Sequence, residues 1–552
     1  MPDAELIVGW RARIARAHAY LGWPAARTVV RTHLRGASFA LTAPPDQLFT
    51  ATEVNEWALC AALLERDAAG PTSATPLLDE SGALARLQEL ARAEARPRLP
   101  LLLAAADDRA LVRTVDDERV TLGAGCGAAD FGLDALPCAQ TFPWQSVHNI
   151  PTALVTGSNG KTSSVRLIAA CLAAQGLRCG YCSTDGVFVG SDSLTAGDYS
   201  GPAGARLVLR EPSLQAAVLE TARGGILRRG IAPSRANAAL VTNISADHFG
   251  EYGIFDLDAL ADVKLTVGSV VSPHGLLVLN ADDATLVRKA TQLSQRFAPV
   301  PPLGWFALDA DNPLLCAHRS HGGATSGFRR GRLVVNHAGA ECDLGAAADM
   351  PLSLGAAASY NMANLAGAAL TARALGVDAA RLAQALGRFG ADPRDNFGRL
   401  MRFEVGGAQV LLDYAHNPDG LRALLGVAER LRAGRGRLGL MLGHAGNRQD
   451  SELQQLASVA AEFRPSLVVV KENERHLRGR EPGEVPRILR AALLAHGVPA
   501  ESLPLCMSEL EAARRALQWA GHGDVLVLPV HGSEARAELV NWLQQRSASP
   551  PT

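Results

Sequence analysis

The sequence has no apolar run near the ~18 residues that a membrane-spanning helix needs. It has no excess of positive charge either, since 54 Lys and Arg stand against 55 Asp and Glu, a formal net charge of −1. The first absence leaves no candidate for a membrane span, and the second argues against a nucleic-acid binder, which carries a basic excess or a basic stripe. Residues 1–13 are acidic ahead of a short apolar stretch and show no small-residue cleavage site, so no secretory leader is expected. A disulfide framework is missing as well: nine cysteines, an odd number in 552 residues, point to a reducing, cytoplasmic setting. Cys179 and Cys182 have the spacing of a redox or zinc half-site. They fall in an expected strand over 178–183, where an offset of three sends the side chains to opposite faces, and no second pair follows. They read as buried structural cysteines.

Lysine is scarce. Of the 54 basic residues only four are lysine, namely Lys161, Lys264, Lys289 and Lys471. Where arginine supplies nearly all positive charge, a retained lysine marks a place where guanidinium fails, either a point charge on a phosphate or an amine that must lose its proton. Chance or codon bias is the alternative, and the positions of the four decide between them.

Residues 1–149 read as a mixed α/β segment. Helices are expected over 5–21, 50–65 and 82–95, strand-turn-strand over 28–41, and a hairpin over 111–122 around Asp116-Asp117, with a Pro/Ser/Gly break at 69–73. This segment shows no chemistry of its own and suits docking, acceptor positioning or assembly into a homo-oligomer. From residue 150 short apolar strands at 153–156, 216–219, 239–242 and 276–279 alternate with helices, the pattern of a parallel sheet covered by helices. A second α/β series follows from about residue 398, with strands at 410–412, 438–442, 467–470 and 525–528 and a Ser/Pro-rich tail after residue 545. The expected domains are 1–149, 150–396 and 397–552.

The strongest chemical signal is Val155-Thr156-Gly157-Ser158-Asn159-Gly160-Lys161-Thr162, between an apolar strand and a helix with the apolar stripe Val165, Ile168, Ala169 and Leu172. Glycines let backbone N–H groups fold around a phosphate, Lys161 reaches the β- and γ-phosphates, and Thr162 offers Mg²⁺ a hydroxyl. Val155 stands where the first glycine of the full Walker pattern would be. Glu220 and His248 follow the ends of later strands, and strand ends of an open parallel sheet line one crevice. His248 alone would read as a satisfied structural histidine; beside Glu220 and the phosphate loop both read as Mg²⁺ ligands.

These stretches, together with Asn280-Ala281-Asp282-Asp283, Asn361-Met362-Ala363-Asn364 and Asp413-Tyr414-Ala415-His416-Asn417-Pro418, resemble in order the signature positions of the Mur ligases. Leu219 onward (LETARGGILR) and Lys471 onward (KENERHLRGREPGE) are similar to the Mur-like module of the cyanophycin synthetases. The resemblance, over roughly residues 150–535, implies an α/β, three-domain Mur-ligase-like architecture with a central P-loop parallel-sheet ATPase domain and a C-terminal Rossmann-like domain. It implies ATP and two Mg²⁺ ions, with Gly157, Ser158, Asn159, Gly160, Lys161 and Thr162 on the phosphates and Thr162, Glu220, His248 and Lys264 at the metals. Lys264 matches a lysine that is carbamylated in many Mur-type ligases, which only a deprotonatable amine permits. Asn361 and Asn364 would face adenine, with helix-surface polarity as their other reading, and Asp413 would accept from ribose hydroxyls. Arg399 would clamp the γ-phosphate from the domain junction. The loop Lys471, Asn473, Arg475 matches the one that recognises the incoming amino acid, and His416 and the Arg448 loop face the same crevice. A solvated charged loop is the alternative for Arg475, Arg478 and Arg480.

The activity so implied is an ATP-dependent carboxylate–amine ligase of the peptide-synthase type, adding an amino acid to an amino-acid or small peptide acceptor through an acyl phosphate, with Lys161, Lys264, His248 and Arg399 central. The 149 residues before the loop leave no room for an ATP-grasp module beside an N-terminal domain, so one kind of amide bond is expected. A folylpolyglutamate- or peptidoglycan-type ligase would share every motif, and a nucleotide-binding scaffold without turnover is the competitor from another class. Partners are expected to be small molecules, with neither nucleic acid nor membrane.

Overall fold

The computed structural model describes residues 4–33, 36–68, 79–247, 249–432 and 436–547. His248, the 69–73 break and the end of the tail lie outside the described residues. The chain divides into two compact units, Met1–Asn149 with Phe249–Phe255, and Ile150–His248 with Asp256–Thr552. Among the described residues no helix is long and apolar enough to cross a membrane.

The first unit holds α1 (Ala4–Leu21), β1 (Thr28–His33), β2 (Gly36–Leu41), α2 (Leu48–Ala68), α3 (Glu80–Glu94), α4 (Arg98–Asp107), β3 (Arg113–Val115), β4 (Arg119–Leu122) and β5 (Ala129–Gly132). Leu6, Trp10, Ile14 and Ala17 form the buried stripe of α1, and with residues of α2 and α3 they make one core. A second core joins α4 to the antiparallel sheet β3-β4-β5. The hairpin at Asp116-Asp117 forms as expected, because Asp116 Oδ1 accepts from the Glu118 and Arg119 N–H groups at 3.1 and 2.9 Å and closes the turn. Residues 249–255 join this unit from within the later part of the chain, an insertion that no local pattern signals.

The second unit begins with eleven strands: β6 (Thr152–Thr156), β7 (Cys179–Ser183), β8 (Gly186–Val189), β9 (Asp192–Ala196), β10 (Ala216–Glu220), β11 (Ala236–Val241), β12 (Val271–Asn280), β13 (Leu303–Asp309), β14 (Ala324–Arg329), β15 (Arg332–His337) and β16 (Ala340–Ala346). They pair in the order β16-β15-β14-β13-β12-β11-β6-β10-β7-β8-β9. From β14 to β7 the strands run parallel, while β15-β16 at one edge and β8-β9 at the other add antiparallel strands to the expected parallel sheet. Helices α5 (Lys161–Ala174), α6 (Pro202–Arg210), α7 (Arg223–Arg229), α8 (Leu257–Leu265), α9 (Ala284–Ala290), α10 (Pro313–Ser320), α11 (Ser359–Ala374) and α12 (Ala379–Leu386) accompany it. The run of small residues in α11 lets that helix lie close to the sheet, so that a Cβ at Gly367 would meet Leu240 and Phe306 at 3.1 Å. Cys179 and Cys182 are buried in β7, where burial pushes both thiols up, as expected of structural cysteines.

The remaining residues build β17 (Met401–Val405), β18 (Ala408–Asp413), α13 (Pro418–Arg432), β19 (Leu438–Leu442), α14 (Asp450–Glu462), β20 (Leu467–Lys471), α15 (Glu484–Ala495), β21 (Leu505–Cys506), α16 (Glu509–Trp519), β22 (Val525–Pro529) and α17 (Ser533–Ser547). Their sheet runs β17-β18-β22-β19-β20-β21, parallel apart from β17, with one apolar cluster on each face. Its central strands are continuous apolar runs because both faces are covered.

Candidate active site

The phosphate loop is shaped by two close approaches. A Cβ on Gly157 (φ 142°) would sit 1.8 Å from Thr242 Oγ1, and one on Gly160 (φ 83°) would sit 2.2 Å from Asn364 Oδ1. Only glycine fits either position. The loop is laced to the segment after β11. Ser158 N donates to Asn243 O at 2.9 Å, Asn159 N donates to Asn243 Oδ1 at 2.9 Å, and Ser158 Oγ donates to Ser245 O at 2.9 Å. That segment is held in turn by the Asn280–Asp283 motif: Asn280 Nδ2 donates to Thr242 O at 3.0 Å, and Asp283 Oδ2 accepts from Ile244 N at 2.6 Å.

Thr162, in the first turn of α5, donates to Glu220 Oε2 at 2.8 Å, and Lys161 Nζ donates to Ser158 O at 3.0 Å. The strand-tip rule therefore brings Lys161, Thr162 and Glu220 together. Burial raises the Glu220 carboxyl above its ordinary value, against the pull of Lys161 and the Thr162 hydroxyl. Glu220 Oε1 is buried without a hydrogen-bond partner. An unsatisfied carboxylate oxygen beside a hydroxyl is a donor set that suits a hard cation, so the residues fit Mg²⁺. Among the described residues no group of three His, Cys, Asp or Glu side chains is placed to hold a metal ion.

Lys264 is buried on α8, and its Nζ donates to Gly157 O at 2.7 Å, directly beneath the loop. Burial, reinforced by Lys161, pulls its pKa well below the ordinary lysine value. Lys289 gains a purpose here: it pairs with Asp262 at 3.0 Å and Asp258 at 3.7 Å and so fastens α9 to α8, the helix that carries Lys264.

Asn361 and Asn364 do not belong to a polar helix surface, for both are buried. Asn361 Nδ2 donates to Leu352 O at 3.0 Å, Asn364 Nδ2 donates to Asn361 Oδ1 at 3.1 Å, and Asn364 abuts Gly160. Asp413 ends β18 and accepts from Leu400 N at 2.6 Å; burial raises its carboxyl while Arg399 opposes the rise. Arg399 stacks over Tyr414 at 4.1 Å and donates to Thr184 Oγ1 at 3.2 Å, whose hydroxyl is 3.3 Å from that of Thr162. The linker arginine thus reaches the phosphate-loop helix.

On the side of the second sheet, His416 Nε2 stands 3.6 Å from Asp247 Oδ2, and Arg448 donates to Asp247 Oδ1 at 2.8 Å. Burial, aided by Arg448, lowers His444 to about 3, and its Nε2 lies 2.6 Å from His416 O. Lys471 is completely buried and paired with Glu509, which also accepts from His531 N at 2.9 Å and Gly532 N at 2.7 Å. It therefore holds β20, α16 and the entry to α17 together instead of offering a free ammonium. Asn473 is buried with its N–H on Glu472 at 3.0 Å, whereas Arg475 is exposed and pairs with Glu534 at 2.7 Å. Arg480 is no solvated charge, since it donates to Gly446 O at 2.9 Å and Arg448 O at 2.7 Å and closes the Arg448 loop.

Sequence reasoning missed Arg166, Asp185 and Arg536, which meet beside Arg399, and Glu509. The strand-tip rule that selected Glu220 applies equally to Thr184 and Asp185, just past the end of β7, and would have found them. Nothing local marks Arg166 or Arg536, two arginines among many on helices.

Residues 155–304 match the Mur ligase middle domain and residues 398–529 the Mur ligase, glutamate ligase domain. The chain is 32% identical over 395 residues to cyanophycin synthetase of Synechocystis sp., a match covering 71% of this chain and 44% of that protein. It thus spans less than half the length of these curated relatives. It is 30% identical over 397 residues to the UDP-N-acetylmuramoyl-L-alanyl-D-glutamate–2,6-diaminopimelate ligase of Gloeobacter violaceus, covering 69% of this chain and 72% of the relative. Among solved structures, E. coli FolC in complex with DHPP and ADP aligns with a TM-score of 0.51 at 18% identity, over 72% of this chain and 89% of that one.

Proposed function

Because the chain belongs to the Mur ligase family, we propose that it is an ATP- and Mg²⁺-dependent ligase that joins a carboxylate to an amine, adding an amino acid to an amino-acid or small peptide acceptor. The observation that carries this reading is the convergence of Lys161, Thr162, Glu220 and Lys264 at the strand tips of one sheet with Arg399, which leads into the other. A carboxylate oxygen of the acceptor attacks the γ-phosphorus of ATP, and the bond from that phosphorus to the bridging oxygen breaks, releasing ADP and leaving an acyl phosphate. The amine nitrogen then attacks the carbonyl carbon and loses a proton, and the carbon–oxygen bond to phosphate breaks to give the amide and inorganic phosphate. The charge is handled by position: Lys161 and the loop N–H groups would face the β- and γ-phosphates, and Arg399 would meet the transferred phosphoryl. When bound, Mg²⁺ neutralises and orients those phosphates. Thr162, Glu220 and His248 would hold a first ion, and Lys264 as a carbamate would hold a second. The neutral amine that burial favours at Lys264 supports that modification.

We assign residues 1–149 to acceptor positioning or assembly, 150–396 to ATP, and 397–552 to amino-acid selection and closure. His416, Arg448, Asn473 and Arg475 are proposed to face the incoming amino acid. Lys471 serves them from beneath through Glu509. An ADP-release screen over amino acids paired with β-aspartyl and γ-glutamyl peptides, with mass analysis of products, tests the function. Turnover should require one acid and one amine together, and Lys161→Ala should abolish it while the chain stays folded. Turnover retained in that variant would remove the phosphate-loop assignment, and no ADP with any pair would favour a binding scaffold.

A further inference from the structure

Asp185, in the turn between β7 and β8, accepts from Arg166 of α5 on Oδ2 at 2.8 Å and from Arg536 of α17 on Oδ1 at 2.8 Å. Arg399 lies alongside, on Thr184 Oγ1 at 3.2 Å. Arg399 and Arg536 both lie over the ring of Tyr414, at 4.1 and 5.2 Å from its centre. Three guanidinium groups therefore crowd one carboxylate. Arg166 and Arg536 are both more than nine-tenths buried. Burial alone would raise Asp185, yet the arginines hold it below its ordinary value.

The cluster is short of acceptors. Arg536 Nε and Nη1, and Arg399 Nε, are buried with no hydrogen-bond partner. A guanidinium taken out of water with two of its nitrogens unsatisfied is costly, and native interiors rarely retain such a group without a use. A buried pair kept only for stability would be matched in charge and hydrogen bonds. Within the cluster Arg399 lies one hydroxyl away from Thr162 of the phosphate-loop helix, through Thr184, and the chemistry of the unsatisfied guanidinium groups is that of a site for a planar or tetrahedral oxyanion.

Resting on the ligase reading, we propose that Arg536 is a second anion-binding arginine of the reaction centre and that, with Arg399, it takes a phosphoryl oxyanion: the terminal phosphoryl of the nucleotide or the acyl phosphate it becomes. Asp185 positions Arg536 until that anion arrives. Because Arg536 rides on α17, anion binding also draws that helix onto the phosphate-loop side of the crevice.

The test uses the full chain and three probes: MgADP, the Mg²⁺ complex of adenylyl imidodiphosphate, and orthophosphate added to the MgADP complex. Arg536→Gln should leave MgADP affinity within about twofold and weaken orthophosphate binding about tenfold or more, the loss expected for a charged hydrogen bond. A parallel loss with adenylyl imidodiphosphate assigns the anion to the nucleotide; an unchanged affinity for it assigns the anion to the acyl phosphate. Wild-type affinities for all three probes in the variant would overturn the inference alone, whereas a wild-type chain that binds no MgADP would overturn the ligase reading with it. If Arg536→Gln does not fold, Arg536→Lys decides the matter, since it keeps a cation on Asp185 without the guanidinium fork. Weaker orthophosphate binding in that variant supports the inference, and unchanged binding overturns it.

Discussion

At the scale of single residues, the site stores charge that the fold alone would not choose. Glu220 is the plainest case, a carboxyl fully enclosed with one oxygen on Thr162 and the other on nothing. Burial raises its folded-state pKa, so the folded chain binds that proton more tightly than the unfolded chain does. The resulting contribution to stability is complete at pH below the ordinary carboxyl range and is lost as pH rises through the raised value. At neutral pH the group therefore contributes less to stability than it does in acid. Glu220→Gln, which retains an acceptor for Thr162, is expected to raise the melting midpoint of the ligand-free chain at pH 7 by about 2 °C or more, with the gap closing on acidification, and to abolish ADP formation. Calorimetry at pH 7 and pH 4 checks the first part, and a midpoint that falls at pH 7 would show that Glu220 is satisfied in its apo environment. Glu220 was legible in the sequence because a carboxylate ending a buried apolar strand has few structural reasons to be there. Arg536 was not, since its meaning comes from Asp185, 351 positions away.

At the scale of elements, the parallel strands were legible because burial on both faces demands unbroken apolar runs, as in the Ala216–Glu220 and Leu467–Lys471 strands. The edge strands were not, because β9 is largely exposed and carries no such run. The Lys471–Glu509 pair shows how elements are pinned at the end of β20. Burial alone would raise Glu509, but Lys471 and His531 bring it down to about 2, so its stabilisation is present above the ordinary carboxyl value and is lost as pH falls through about 2. Glu509→Gln leaves a cation enclosed at the end of β20 and weakens the grip on the His531 and Gly532 N–H groups. Its expected cost is about 3–5 kcal/mol in unfolding free energy. Urea titration measures it, and a loss below about 1 kcal/mol would mean the pair is dispensable. The double change Lys471→Met with Glu509→Leu should recover part of the loss, because no charge is then stranded.

At the scale of the whole molecule, the catalysis proposed above would draw on groups that belong to different sheets. Arg399 follows the first sheet and its helices and leads into β17, and Arg166 of α5 donates to Phe397 O at 2.9 Å, fastening the start of that linker to the phosphate-loop helix. Arg399→Ala should lower kcat about 10²- to 10³-fold, as loss of a preorganised transition-state donor does, while MgADP affinity changes little, because ADP lacks the phosphoryl that Arg399 meets. Single-turnover kinetics with a parallel ADP titration separates the two effects, and a matching loss in both would move Arg399 from the transferred phosphoryl to the nucleotide itself.

By itself the sequence determined the loop, the strand tips and the order of the motifs, since a glycine forced by φ, a lysine retained among arginines and a buried strand ending in a carboxylate are local consequences of local chemistry. The tertiary structure alone decided that Lys471 is enclosed, that Asn364 lies against the loop with Asn361 bonded to it, that Arg480 closes a turn, and that Arg166, Arg399 and Arg536 gather around one aspartate. The physical reason is range. Backbone conformation and periodicity act over a few residues and can be read along the chain, whereas burial, desolvation and charge pairing act between residues that only folding brings within a few ångströms.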